Sequence, residues 1–368
     1  MNKVFGILTN SDCNLNCRYC FTDKVPCRNS LADMLEYVDA AFNECMKDGE
    51  VSQITFDFIG GEPFLCIDEL DKVVDRVIHH YHSIYGEGSV GLKLHFTTNG
   101  TQFCRESVQK FLDKYKEYIY IDISIDGHKE SHDLNRIDYN GNGSYDTVIS
   151  GYYICKQHIP NDRIRASFTL THDTIQHCYS GLVDIINKGF TNIILNVNFN
   201  EVWSIDYSDI IYNEIRDIVD YIILNNMDNN VFIQQINKMS IPPFSFVVEP
   251  KCVLNRNTIY FGLDKQLYGC YKFASLMVEP IGRLKDASFH FDDYNLLNLH
   301  DYHVYYHEDC SVCRFNKICY LCPAYSHITG MDTDSYLSSK YFCGFITAIG
   351  RGMVYFHNKT NKRVLCNV

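Results

Sequence analysis

Short apolar runs and longer amphipathic stretches alternate along the chain from residue 4 to about residue 226. Runs rich in β-branched and aromatic side chains lie at 4–9, 54–59, 92–97, 118–125, 164–171 and 192–197, and each predicts a strand. Between them, apolar residues recur with a helical period over 32–46, 67–85, 106–118, 146–158 and 174–188. A further helical pattern, 207–224, follows the last strand. Alternation at this spacing implies parallel strands joined by right-handed crossovers. Six units are too few for the eight-unit barrel, so the expected fold is α/β, a partial (β/α)6 TIM-like barrel. In such folds the chemistry sits at the C-terminal ends of the strands.

The alternation stops near residue 230. Residues 225–230 are polar and turn-prone, and Ile241-Pro242-Pro243 is a breaker. Beyond it the chain reads as loop-rich and aromatic, with no long periodic helix. Two units are therefore expected, 1–240 and 241–368, the second with little core of its own and in need of metal staples.

Charge and composition then narrow the function. The 368 residues carry 33 Lys+Arg against 45 Asp+Glu, a formal charge of −12, and no basic run. A nucleic-acid grip is disfavoured, because phosphate contacts need clustered cations. No stretch has the length and apolarity of a membrane helix, and Asp12 and Arg18 interrupt the N-terminal segment, so neither a membrane span nor a signal peptide is expected. A cytoplasmic protein is the expectation. The 17 cysteines are an odd number in a chain with no export signal, which favours reduced, metal-binding thiols over a disulfide framework. Their placement is uneven: Cys13, Cys17 and Cys20 fall within eight residues, and Cys310, Cys313, Cys319 and Cys322 within thirteen, flanked by Cys252, Cys270 and Cys343.

The loop Cys13-Asn-Leu-Asn-Cys17-Arg-Tyr-Cys20 directly follows the first predicted strand. A structural zinc or an ordinary 4Fe-4S cluster takes four protein ligands. Three thiolates on a four-iron cluster leave one iron open; the other reading is a zinc site that borrows a fourth ligand elsewhere.

At these residues the chain resembles the radical S-adenosylmethionine (radical SAM) superfamily, whose C-x3-C-x-aromatic-C loop it matches with Tyr19 in the aromatic slot. Gly60-Gly61-Glu62-Pro63, closing the second strand, matches the family's GGEP element, which receives the methionine amino group. Glycines there allow close backbone approach to a ligand, and a carboxylate complements an ammonium. Thr97-Thr98-Asn99-Gly100 ends the third strand as the family's TNG does. Ser124-Ile125-Asp126-Gly127 resembles the stretch near the SAM ribose and carboxylate: Ser124 as a SAM contact, Asp126 either as a contact or as a turn-shaping residue. Arg136 would pair either with the methionine carboxylate or with Asp133. Val197 lies where the family packs the adenine, and reads equally well as core. The resemblance implies a SAM-binding 4Fe-4S cluster held by the three thiolates. It also implies one-electron cleavage of SAM to a 5′-deoxyadenosyl radical that takes a hydrogen atom from an unactivated C–H bond.

The C-terminal cysteines resemble the SPASM domain of peptide- and protein-modifying members, which holds one or two auxiliary 4Fe-4S clusters. Carried over, Cys310, Cys313, Cys319 and Cys343 would ligate the distal cluster, and Cys252, Cys270 and Cys322 the proximal one, its fourth ligand unassigned. Three departures stand out: only Tyr320 and Leu321 separate Cys319 from Cys322, Lys265 replaces a usual glycine, and no extra cysteine precedes Cys252. The alternative at these positions is zinc of C-x2-C type, and with it a non-enzymatic, zinc-stabilised binding module.

In sulfatase-maturing members an aspartate follows the second SPASM cysteine as base. Here that place is held by Tyr271, a phenol neutral at pH 7, which argues against sulfatase maturation and leaves Tyr271 as the one candidate catalytic side chain. The expected substrate is a ribosomally made precursor peptide, modified by a thioether, carbon crosslink or epimerisation. Sulfatase maturation and small-molecule dehydrogenation are the alternatives. With the cluster loop beginning at residue 13, no N-terminal leader-binding module is expected, so the leader would use the barrel, the C-terminal region or a separate protein. The expected electron donor is of flavodoxin or ferredoxin type.

Overall fold

The computed structural model describes residues 1–22, 24, 26–47, 50–86, 88, 90–237, 257–292, 313–315, 318–319, 322, 324–330 and 341–360. Its barrel runs β1 (Asn2–Leu8), α1 (Leu31–Lys47), β2 (Gln53–Ile59), α2 (Ile67–Tyr85), β3 (Gly91–Thr98), α3 (Glu106–Tyr115), β4 (Ile119–Ser124), α4 (Lys129–Asn135), α5 (Tyr145–His158), β5 (Ile164–Leu170), α6 (Cys178–Lys188), β6 (Asn192–Val197) and α7 (Ser208–Leu224). Strands β1 to β6 lie side by side in parallel, so the six expected units are present in the expected order.

Alternation along each strand sets the layers. In β3, Leu92, Leu94 and Phe96 are buried, while Lys93 and His95 between them are only half-buried, on the opposite face. Aromatic stacking ties the helix-facing side together, with the Phe58 and Phe96 rings 4.8 Å apart and Phe64 5.3 Å from Phe96. Helix α2 presents Ile67, Leu70, Val73, Val74, Val77 and Tyr81 as one buried stripe at helical spacing.

The opposite, concave side is polar. The Tyr260 hydroxyl donates to Asp57 at 2.5 Å, and Asp57 is 2.7 Å from His95 Nδ1. His95 Nε2 lies 3.3 Å from Asp122, which Arg165 grips through Nε at 2.9 Å and Nη2 at 2.5 Å. Arg165 Nη1 then donates to Gln234 at 3.2 Å. A belt of polar contacts thus crosses the inside of the barrel, from beyond β1 to the far side of β6.

The sheet is wider than the sequence pattern suggests. Beyond β6 lie the two-residue β7 (Phe232–Ile233) and α8 (Gln234–Asn237). On the other flank β8 (Thr258–Phe261) pairs with β1 in parallel, and β9 (Gln266–Tyr268), β10 (Gly282–Lys285) and β11 (Ser288–Phe291) extend the sheet antiparallel. Between β9 and β10 stands α9 (Tyr271–Leu276), and later come α10 (Ala324–Thr329) and α11 (Cys343–Lys359).

Helix α11 corrects one expectation. The pattern beyond residue 230 shows no long helix, yet α11 has 17 residues and packs along α7. Gly344, Gly350 and Gly352 dilute its apolar period, and they are where it comes closest to its neighbours: a Cβ on Gly344 would lie 1.9 Å from the Ser204 carbonyl oxygen. Tyr341, Phe345, Ile349 and Phe356 join the same buried core as Phe5 and Leu195. The described part of the C-terminal region therefore shares the barrel's core and does not stand on metal alone. No helix among the described residues is long and apolar enough to cross a membrane.

Candidate functional site

The loop after β1 is built into the C-terminal ends of the neighbouring strands. Thr9 N–H donates to the Ile59 carbonyl at 2.8 Å, Gly61 N–H to Asn10 at 2.9 Å and Glu62 N–H to Asp12 at 2.8 Å. The approach is close enough to require the glycine pair. A Cβ on Gly60 would stand 2.6 Å from the Asn10 carbonyl oxygen, and one on Gly61 2.2 Å from that of Asp12. The expected clearance for a ligand is, at these two Cβ positions, filled by the chain's own loop backbone.

Glu62 is fully buried and follows the glycines. Its Oε1 accepts from Phe64 N–H at 3.1 Å and the Thr98 hydroxyl at 2.8 Å, and its Oε2 accepts from Asn99 N–H at 2.7 Å. Burial pushes the carboxyl up to about 7 against these three donors. The side chain ties the end of β2 to the end of β3, with Pro63 starting the short turn that leads to α2.

Cys13 and Cys17 are half-buried and Cys20 is exposed. Burial pushes the Cys13 thiol up to about 11, and raises Cys17 as well, where Arg136 and Lys24 act in the opposite direction. Two N–H donors face Cys13 Sγ, from Leu15 at 3.4 Å and Asn99 Nδ2 at 3.6 Å. The outer side of the loop runs against the segment after α4, with Asn16 N–H on the Ile137 carbonyl at 2.6 Å and Arg18 N–H on Asn135 at 2.9 Å. Lys24 Nζ reaches the Leu15 carbonyl at 2.9 Å.

Tyr19 anchors this loop from within. Its hydroxyl donates to Asp126 Oδ2 at 2.5 Å, and Arg136 Nε donates to the same oxygen at 2.8 Å, with the guanidinium 5.2 Å from the Tyr19 ring centre. Asp126 Oδ1 accepts from Thr169 N–H at 2.9 Å, so one carboxylate joins the cluster loop, β5 and the segment after α4. Of the two partners considered for Arg136, Asp133 is not the one observed: Asp133 accepts from Tyr145 N–H and pairs with Lys129. Asp126 does more than shape its turn. Ser124 ends β4, half-buried and level with Ser167 of β5. Val197, 2% exposed, is packed in the core at the end of β6.

Among the described residues, no three His, Cys, Asp or Glu side chains stand close enough to share one metal ion. The fit of the N-terminal loop to an iron–sulfur cluster rests on its donors: three thiols, N–H groups aimed at one sulfur, and the cations of Arg136 and Lys24 beside them. Thiols raised by burial lose their protons when a metal takes them, so metal binding and deprotonation are linked here.

The loop after β6 reaches both cysteine regions. Asn200 Nδ2 donates to the Tyr19 carbonyl at 3.1 Å, while Trp203 N–H donates to the Tyr341 carbonyl at 2.8 Å and the Trp203 carbonyl accepts from Gly344 N–H at 2.9 Å, next to Cys343. Nearby, Lys272 Nζ donates to Cys322 Sγ at 3.6 Å and lies 3.0 Å over the Phe199 ring. Burial pushes the Cys270 thiol up to about 11, and the charge of Cys322 acts in the same direction. Cys313 is exposed, Cys319 and Cys343 are half-buried, and Tyr271 is 38% exposed beside Tyr260. Cys252 and Cys310 lie outside the described residues. The sequence reading named Asn99 within its Thr-Asn-Gly motif without giving it a contact, and gave no role to Lys24, Asn200 and Lys272, which carry no local pattern.

Residues 7–178 match the model of the Radical SAM superfamily. Over 247 residues the chain is 23% identical to the radical SAM cyclopropyl synthase TigE of Paramaledivibacter caminithermalis, covering 63% of this chain and 48% of that protein. Over 159 residues it is 33% identical to a cysteine-type anaerobic sulfatase-maturating enzyme of Clostridium novyi, covering 40% of this chain and 38% of that one. The chain thus spans about half the length, or less, of these curated relatives. Among solved structures, native anSMEcpe with bound AdoMet superposes with a TM-score of 0.73 at 18% identity, covering 99% of this chain and 100% of that one. Streptococcus suis SuiB bound to precursor peptide SuiA gives 0.56 at 15% identity, covering 87% and 71%. At these identities the likeness shows the fold.

Proposed function

We propose that this chain, whose residues 7–178 form a radical SAM domain, is an enzyme that cleaves S-adenosylmethionine reductively and uses the resulting radical to modify a peptide. The observation that carries the reading is the three-thiol loop at the mouth of β1, latched to the ends of β2, β3 and β5. Cys13, Cys17 and Cys20 hold a 4Fe-4S cluster, which supplies the one-electron reduction of SAM when bound. The chain's own side chains do the rest. Glu62 fixes the strand ends from which the Gly60–Pro63 backbone meets the methionine. Arg136, already charged against Asp126, offers its remaining guanidinium N–H groups to a carboxylate, and Ser124 and Val197 line the nucleoside side.

A peptide substrate is supported by the relatives' own names, a cyclopropyl synthase, sulfatase-maturating enzymes and a SuiB structure with its precursor peptide. The preferred reaction is a crosslink, thioether or epimerisation of a ribosomally made precursor. A second reading, oxidation of a peptide cysteine to formylglycine, is favoured by the 33% identity to a sulfatase-maturating enzyme, and opposed by Tyr271 in the place of the aspartate. Cys270, Cys322, Cys313, Cys319 and Cys343, with Cys252 and Cys310, are proposed to hold one or two auxiliary 4Fe-4S clusters that serve turnover of the peptide. A flavodoxin or ferredoxin-type protein would donate electrons.

The test is anaerobic reconstitution with iron and sulfide, then SAM and dithionite. The chain should release 5′-deoxyadenosine, and replacing Cys13, Cys17 and Cys20 together by Ala should remove about four irons and end that release. Release by the triple variant would refute the assignment. Incubation with candidate peptides from neighbouring genes, read by mass, separates crosslinking (loss of two hydrogens) from epimerisation (no change) and from formylglycine formation (loss of sulfur).

A further inference from the structure

The cluster loop occupies the C-terminal ends of the strands; the opposite end of the barrel holds a separate cavity of about 470 Å³. Its walls come from the starts of the strands: Thr55 of β2, Lys93 of β3, Tyr120 of β4 and Asn192 of β6, with Arg163 just before β5 and Phe232 at β7. The volume is that of a small-molecule site.

Its inner wall is the polar belt, and the belt is neutral in itself, with Asp57 and Asp122 balanced by protonated His95 and Arg165. The rim is not balanced. Lys93 Nζ and the Arg163 guanidinium lie 4.8 and 5.3 Å from the centre of the Tyr120 ring. Among the described residues neither has a carboxylate within 4.0 Å, in a chain with a net charge of −12. Arg163 is held in place by its Nη1, which donates to the Lys116 and Glu117 carbonyls at 3.0 and 2.7 Å; among the described residues its other N–H groups have no hydrogen-bond acceptor. Among the described residues lining the rim, Asp162 is the opposing charge, so one positive charge remains over. Phe232, 38% exposed, and the Asn192 amide complete a wall with an aromatic face and hydrogen-bonding groups.

We propose that this N-terminal mouth binds a small-molecule oxyanion, a phosphate or carboxylate held by the Lys93 and Arg163 cations that line the cavity, with the rest of the molecule against Phe232. Arg163, anchored by two backbone carbonyls, and Lys93 beside the same ring offer such a group charge-assisted hydrogen bonds. The site does not depend on the chemistry at the other end of the barrel.

Calorimetric titration of the full chain tests it, with inorganic phosphate, adenosine monophosphate and succinate as probes, each with and without S-adenosylmethionine. Binding of phosphate and the nucleotide alone assigns a phosphate ligand; binding of succinate, with them or alone, assigns a carboxylate. Lys93→Gln should weaken the bound probe about tenfold and Lys93→Glu should abolish binding, because among the described residues the Lys93 ammonium has no hydrogen-bond or ion-pair partner and its loss should leave the fold intact. Lys156→Gln, a lysine on the Tyr152 ring elsewhere, should change nothing. Absence of binding by all three probes at about 10 mM, binding indifferent to both Lys93 variants, or displacement of the probe by S-adenosylmethionine would each overturn the proposal.

Discussion

The Tyr19 hydroxyl reaches a carboxylate 107 positions further along the chain, one of several bonds that tie the cysteine loop to the barrel. Removing it with Tyr19→Phe keeps the ring beside Arg136 and leaves Asp126 paired. The variant should lose about 1–3 kcal/mol of unfolding free energy, the scale of a buried hydrogen bond to a charged group. Denaturant titration under anaerobic conditions measures it, and a loss near zero would mean the loop is held by its backbone contacts alone. Glu62 gives a second prediction. In Glu62→Gln the amide cannot accept from both Phe64 and Asn99 N–H through its nitrogen, so one buried donor is left unpaired at a cost of about 1–3 kcal/mol. Its pH signature is separate. Folded Glu62 holds its proton up to about 7 against an ordinary 4.5, so its contribution to stability falls as pH rises between those values, and the Gln variant should lack that slope. At this scale the sequence was informative where spacing carries the signal: the three cysteines, the glycine pair and the Thr-Asn-Gly turn are local. The pairing of Arg136 with Asp126 in preference to Asp133 was not legible, because both acids lie within one short stretch and only the direction of α4 decides between them.

At the scale of elements, the least legible piece is α11. Its glycines lower the apolar period, and each sits where a Cβ would collide with a neighbour: Gly344 with the loop after β6, Gly350 with the Phe315 ring and Gly352 with Ile215 of α7. Gly344→Ala tests this: its Cβ would meet a carbonyl oxygen, which moves only with the whole loop, so about 1–3 kcal/mol of stability should be lost. Thermal unfolding measures it, and an unchanged midpoint would show that the helix start can shift. The strands were easier to read. Residues 92–97 and 164–171 were placed to within about a residue at the end nearer the site, because their alternating burial leaves a clear period of two. The short β7 and β8–β11 escaped, since two- to four-residue strands carry too few positions to show any period.

For the whole molecule, the belt explains why charged residues interrupt strands that otherwise read as core. Asp57, His95, Asp122 and Arg165 alternate with buried apolar residues along their strands, and they fill the inside of the open barrel. Burial opposes the charge on His95, but Asp57 and Asp122 on either side outweigh it and hold the imidazole up to about 10. The stability this adds is complete below the unfolded value near 6.5 and is lost as pH rises toward 10. His95→Gln should therefore flatten the alkaline side of the stability curve between those limits, as read by urea unfolding at several pH values; an unaltered slope would mean the imidazole is neutral in the folded chain. The pairing of β1 with β8 has a consequence of another kind, in time. On the ribosome the first strand emerges at once, yet its second neighbour, beginning at Thr258, follows only after about 10–50 s at roughly 5–20 residues per second. Throughout that interval one side of β1 is an unpaired edge, and the cysteine loop just beyond it hangs from a half-finished sheet. A chain cut after Asn237 would remain in that condition permanently, and should aggregate during expression while the full-length chain does not.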